Sequence, residues 1–186
     1  MWHLKKDTVE RWSWAVPLTE IGCKNTIELC NKLKLTYPLA DLSSNIVRPF
    51  QNKSATLPIT DESRWIFETT TKVLLDINEK FFNYDVLYID ELRFCVYEEG
   101  DYYDKHTEMQ YESTGVKKIS FLINLSDPDT YEGGDLLMHF DKEPTVAKRD
   151  LGSMMIFPSF YMSEITPVTS GTKYCIMGSV IGPKFN

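Results

Sequence analysis

The stretch DKHTEM, residues 104–109, places an imidazole (His106) and a carboxylate (Glu108) two positions apart. The surrounding text reads as a strand, and alternate strand residues point to one face. The two side chains therefore converge, either on a shared metal ion or on each other as an ion pair. A facial triad of two histidines and one carboxylate, which binds non-haem Fe(II), needs a second imidazole. The chain has three histidines: His3, His106 and His139. His139 follows the Gly133-Gly134 turn on a separate strand-like run, where an exposed or structural histidine is the default reading.

The elements that must hold these residues fall into two parts. Three tryptophans (Trp2, Trp12, Trp14) mark the first twenty residues, with a strand expected near 12–17. Buried, they belong to a core; exposed, they form a contact surface, because Trp and Tyr are enriched at interface hot spots. Apolar residues at helical spacing (Ile27, Leu29, Cys30, Leu33) predict a helix over 22–35. Residues 36–60, with three prolines and several Ser and Asn, read as a loop. Asp61 reads as the N-cap of a second helix running to about Phe81, with Trp65, Ile66, Thr69, Val73, Leu74 and Ile77 inward. After Asn83 the pattern changes to short strand-like runs at 84–97, 101–109, 117–125, 135–140, 144–149, 153–157 and 173–181, separated by Gly, Pro and Asp turns. Such spacing predicts an all-β sandwich or barrel. The fold class is mainly β (α+β): a jelly-roll core with N-terminal helices buttressing one sheet.

Length fits a single domain over 1–186, divided into a helical and extended support region (1–83) and a β core (84–186). The net charge of −7, with no Lys/Arg cluster, argues against nucleic acid as a partner. No apolar run reaches the roughly 20 residues needed to cross a bilayer, and the first residues have no apolar signal region. The four cysteines form no CxxC pair, and Cys23 and Cys30 stand two helical turns apart, too far for a disulfide. All four read as reduced thiols, which implies a cytoplasmic compartment.

Three longer stretches carry a further signal: ELRFCVYEEGDYYDKHTEMQ (91–110), KKISFLINLSDPDTYEGGDLLMHF (117–140) and DLGSMMIFPSFYMSEITPVTSGTKYCIMGSVIGP (150–183). Together they resemble the Fe(II)/2-oxoglutarate-dependent oxygenases of the prolyl 4-hydroxylase type. In that family a strand ending in Tyr leads to Gly-x-x-Tyr-x-x-His-x-Asp, a Gly-Gly-Asp/Glu-Leu loop follows, and Phe-Pro-Ser…His…Pro-Val-x-x-Gly-x-Arg/Lys-Tyr closes the core. The resemblance covers roughly 88–184 and implies a double-stranded β-helix.

Residue by residue, His106 matches the first iron-binding histidine. Glu108 matches the metal carboxylate, one methylene longer than the usual Asp. Lys173 matches the basic residue that pairs the distal carboxylate of 2-oxoglutarate, and Tyr97 and Tyr103 match aromatic positions near that cosubstrate. The family's second histidine falls on Ser163, whose neutral hydroxyl is a poor ligand for Fe(II). Glu164, adjacent on the strand, should face out of the barrel. Lys173, Cys175 and Met177 should share one inner face of the last strand. The EGGD turn (132–135) is accounted for by paired glycines at positive φ.

Two functional readings follow. The incomplete triad implies an oxygenase-like protein without stoichiometric metal, serving as a structural or binding part. Because small stand-alone chains of this resemblance occur in tailed phages, that part could be a neck or tail component of a virion, with protein partners, other virion proteins or further copies of itself. The alternative is an active Fe(II)/2-oxoglutarate-dependent, prolyl-hydroxylase-like dioxygenase, in which Fe(II) and 2-oxoglutarate are the cofactors.

Overall fold

The computed structural model describes residues 12–37, 50–111 and 114–184. Trp2 and His3 lie outside the described residues. In chain order the elements are β1 (Ser13–Ala15), α1 (Glu20–Cys30), β2 (Phe50–Gln51), β3 (Lys53–Thr56), α2 (Arg64–Ile77), β4 (Tyr88–Tyr97), β5 (Tyr102–Thr107), β6 (Val116–Asn124), β7 (Tyr131–Gly133), β8 (Leu136–His139), β9 (Thr145–Val146), β10 (Met154–Pro158), β11 (Met162–Ile165), β12 (Val168–Gly171) and β13 (Lys173–Gly182). They form a six-stranded sheet in the order β1-β10-β6-β13-β4-β3, a five-stranded sheet β2-β5-β11-β8-β9, and a two-stranded pair β12-β7.

The central strands β4, β6 and β13 read as continuous apolar runs because both their faces are covered. On β4, Leu92, Phe94 and Val96 belong to an outer core completed by Cys23 and Cys30 of α1 and by Ile66, Leu74 and Ile77 of α2. The alternate residues Cys95 and Tyr97 point the other way, into an inner core between the sheets with Leu122, Met138, Phe157 and Cys175. The period of two thus splits one strand between two cores, and the helices lie against the outside of the larger sheet.

Both helices begin differently from the sequence expectation. α1 starts two residues early because the Thr19 side chain accepts a hydrogen bond from Gly22 N at 3.1 Å, an N-cap that satisfies one of the helix's orphan donors. Asp61 is not the cap of α2. The turn is organised by Thr60, whose side chain accepts from Ser63 N at 3.3 Å and whose carbonyl accepts from Arg64 N at 2.9 Å. α2 continues into a π-helical turn, Asn78–Phe82, which closes at Asn83 with a φ of 51°.

The support region also supplies strands. β1 pairs with β10, β2 with β5, and β3 with β4, all antiparallel. β2 and β3 fall in the stretch expected to be loop. Trp12 packs on the inner core, whereas Trp14 is exposed, with Lys148 Nζ 3.4 Å from its ring centre.

Candidate functional site

Between the two large sheets lies a cavity of about 210 Å³ whose lining includes His106, Glu108, Ser163, Arg93, Lys117 and Cys95. β5 carries His106 into it. His106 Nδ1 lies 2.6 Å from the Asp104 carbonyl oxygen. A carbonyl only accepts, so Nδ1 holds the proton and donates. The ring is fixed from its face by Tyr103, stacked at 3.6 Å between centres and 10° between planes. His106 Nε2 is then directed at Glu108 Oε1, 2.8 Å away.

That last contact has a chemical requirement. With Nδ1 protonated, a neutral imidazole offers only a lone pair at Nε2, and a carboxylate oxygen offers only lone pairs. The two can face each other only across a positive charge: a second ring proton or a metal ion. Glu108 is ionised in this setting. Burial pushes its carboxyl up, but the hydrogen bond and charge of His106, then Lys117 and Arg93, outweigh burial and hold it below the ordinary carboxylate value.

Ser163 on β11 is the direct cross-strand partner of His106 on one side and of Met138 on the other. Its side chain shares their inward face and is 3% exposed. His139 pairs in register with Met162, one step off, so it lies on the opposite face. There it meets Glu164 at 3.1 Å. The second imidazole and the carboxylate beside Ser163 are therefore hydrogen-bonded to each other outside the barrel.

Lys173 sits at the other end of the interior, paired in register with the fully buried Tyr97. It is 1% exposed, and its Nζ donates to the Gly134 carbonyl at 2.5 Å. Glu108 is not its partner. The nearby Asp135 is engaged by Arg149 at 3.2 Å. Among the described residues no carboxylate lies within ion-pair distance of Lys173. Burial pulls its ammonium below the ordinary lysine value, despite the neighbouring Cys175 and Asp135.

The glycine pair does more than turn the chain. Both glycines have positive φ, 70° at Gly133 and 63° at Gly134. Gly134 also supplies the acceptor for Lys173, and a Cβ there would stand 3.2 Å from Lys173 Cδ. The cavity lining includes Cys95 and Met177 but neither Lys173 nor Tyr97. The structure thus gathers His106, Glu108, Ser163 and Tyr103 at the cavity, and sets Lys173 and Tyr97 one rung beyond its floor. Tyr97 directs its hydroxyl at Met177 Sδ, 3.6 Å away.

Several residues at the site had no signal in the motif reading. Arg93 and Lys117 line the cavity although charges within a strand read as solvent-facing. Tyr131 places a buried hydroxyl, without a hydrogen-bond partner among the described residues, near Lys173, whose Nζ is 5.9 Å from its ring centre.

Comparison with known proteins bears on the fold and on the stretch that carries these residues. Residues 92–180 match the 2OG-Fe(II) oxygenase superfamily. Over these residues the chain is similar to 2OG-Fe(II) oxygenase domains. A PKHD-type hydroxylase of Prochlorococcus marinus is 38% identical over 79 residues, covering 42% of this chain and 36% of the relative. One from Rippkaea orientalis is 30% identical over 93 residues, 48% of this chain and 42% of the relative. The matches thus span less than half the length of these relatives. In fold, the domain is similar to a Pseudomonas putida prolyl-4-hydroxylase (TM-score 0.73, 16% identity, 92% of each chain). It is also similar to a viral collagen prolyl hydroxylase from Paramecium Bursaria Chlorella virus-1 (TM-score 0.72, 15% identity, 93% of this chain and 97% of the other). These neighbours are double-stranded β-helix oxygenases, the fold the strand pattern and motifs predict.

The site fits iron in part. His106 donates its far ring nitrogen to a carbonyl, as metal-bound histidines do. The 2.8 Å gap between Nε2 and Oε1 is that of neighbouring ligands each roughly 2.1 Å from one ion. The third corner is a serine hydroxyl, and among the described residues no group of three or more His, Cys, Asp or Glu could hold a metal. For 2-oxoglutarate, Lys173 and the unpartnered Tyr131 hydroxyl are a cation and a donor suited to a carboxylate.

Proposed function

We propose that this domain is an Fe(II)/2-oxoglutarate-dependent hydroxylase acting on a peptidyl proline or a similar C–H bond, with a weakened metal site. The observation that carries the reading is Lys173. A buried ammonium without a counter-charge is expensive, and a domain that had abandoned its cosubstrate would be expected to give it an internal carboxylate. Here it has one backbone carbonyl. The charge is instead suited to the distal carboxylate of 2-oxoglutarate, with Tyr131 as a second donor.

In this reading His106 and Glu108 hold the metal. Asp104 fixes the ring's tautomer, and Tyr103 fixes its plane. Bound Fe(II) with 2-oxoglutarate supplies the oxidative C–H chemistry. Arg93 and Lys117 keep Glu108 ionised, so that it stays a ligand and not a proton donor. Ser163 takes the third corner with a neutral hydroxyl, which lowers metal affinity without blocking the position.

A second reading, that of a non-catalytic structural or binding component without stoichiometric iron, keeps one specific support: Ser163 together with the closed rung between the cavity and Lys173. A place in a tailed-phage particle belongs to that reading and rests on analogy alone. The two separate on 2-oxoglutarate turnover. With Fe(II), ascorbate and 2-oxoglutarate, the wild-type chain should release succinate above the rate of a His106→Ala variant, and Ser163→His should increase that rate. Equal background from all three proteins would favour the non-catalytic reading.

A further inference from the structure

Two of the four buried cysteines are not isolated. Cys95 on β4 and Cys175 on β13 are direct cross-strand partners. Both belong to the inner core, at 1% and 0% exposure. Residues directly opposite in an antiparallel pair have Cα atoms about 4.5–5.5 Å apart, within the roughly 4.4–6.8 Å a disulfide spans. Both side chains leave the same face of the sheet, so no strand has to turn for the sulfurs to meet. Cys95 also forms part of the cavity wall, which gives a small solute a route to the pair. Cys23 and Cys30 are as deeply buried but placed differently: they sit on one helix, two turns apart, in the outer core.

We propose that Cys95 and Cys175 are a redox-active dithiol that closes to a cross-strand disulfide when a peroxide enters the cavity. One thiol gives up its proton, and the thiolate attacks one oxygen of hydrogen peroxide. The O–O bond breaks, that cysteine becomes a sulfenic acid, and the departing hydroxide takes the proton to leave as water. The sulfur of the second cysteine then attacks the sulfenic sulfur, its proton leaves with the displaced hydroxide as a second water, and the S–S bond forms. Two thiols lose two electrons to the peroxide, and the products are one disulfide and two waters. Cys95 is the thiol on the cavity wall, and Cys175 stands behind it as its direct cross-strand partner.

The position gives the bond a consequence. The Cys95–Cys175 rung lies between Lys173–Tyr97 on one side and Met177–Arg93 on the other, which makes it the floor separating the cavity from Lys173. Oxidation would tie that floor shut.

The test uses the full chain, reduced and desalted under anaerobic conditions, then exposed to increasing hydrogen peroxide, alkylated in denaturant and mapped by peptide mass. The expected result is loss of two alkylatable thiols with one linked peptide pair containing Cys95 and Cys175, while Cys23 and Cys30 stay alkylatable. Cys95→Ser and Cys175→Ser should each stop oxidation at a sulfenic acid on the remaining cysteine of the pair, trapped by dimedone, and circular dichroism on the same variants checks their folds. Four alkylatable thiols after peroxide, a sulfinic acid in place of the cross-link, or a disulfide that includes Cys23 or Cys30 would overturn the proposal.

Discussion

At the open end of the barrel interior, Arg93 pairs with Glu91, Lys117 approaches Asp90 at 3.8 Å, and Glu108 meets His106 at 2.8 Å. At the closed end, among the described residues, Lys173 has a carbonyl and no carboxylate, and the buried Tyr131 hydroxyl has no partner at hydrogen-bond geometry, with the Arg149 guanidinium over its ring. The first region is internally neutralised, and its departure from the family pattern, Ser163, is a single side chain. The second keeps a buried lysine, without a carboxylate at ion-pair distance among the described residues, where apolar packing would be more stable. The difference locates the domain's remaining demand for a ligand: the metal corner has lost a donor, but the anion corner has not been filled in.

The largest expected effect lies at the closed end. Tyr97 is fully buried, and Tyr97→Ala should cost about 3–5 kcal/mol in denaturant unfolding, the range for large aromatic truncations. Gln110→Ala, on the cavity lining, should stay within about 0.5 kcal/mol. Similar losses at both positions would erase the contrast.

Glu108→Gln sharpens the open end. The carboxylate is held below its ordinary value of 4.5, so its contribution is present above that pH and is lost as pH falls through the lower folded-state value. At neutral pH the substitution should cost about 1–3 kcal/mol, the range for breaking a buried charged hydrogen bond. That deficit should shrink as pH drops below 4.5, followed by urea midpoints at several pH values. A deficit independent of pH would mean that the His106–Glu108 contact is not ionic.

Ser163→His should raise Fe(II) affinity at least about tenfold, since losing even an outer-sphere partner costs that much. Anaerobic titration monitored by tryptophan fluorescence reads it. An unchanged affinity would mean that the β11 position does not face the metal corner.

How much of this was legible in the sequence follows from what each feature depends on. β4, β6 and β13 announce themselves because their own side chains fill two cores. β2 and β3 do not: they are two and four residues long and exist because β5 and β4 offer them backbone partners. The motif spacing predicted that His106, Glu108 and Ser163 share a face. The fate of His139 depended on a one-residue register against Met162, which periodicity alone does not set. Lys173 was recognised, but its acceptor is a backbone carbonyl with no sequence signature, and Glu108 has its own partner in His106.

The most direct test of the central claim is 2-oxoglutarate-dependent stabilisation of wild type and Lys173→Met, measured by thermal unfolding with Mn(II) present. Burial depresses the Lys173 value, so the fold favours the neutral amine. The stability this linkage gives is present above the unfolded value near 10.5 and is lost as pH falls through the folded value, so the fold disfavours the charged form. Removing it should therefore cost no more than the roughly 1.5 kcal/mol of one hydrogen bond. The account predicts that 2-oxoglutarate raises the unfolding temperature of wild type and leaves Lys173→Met unmoved. No shift in wild type, or an equal shift in both proteins, would contradict it.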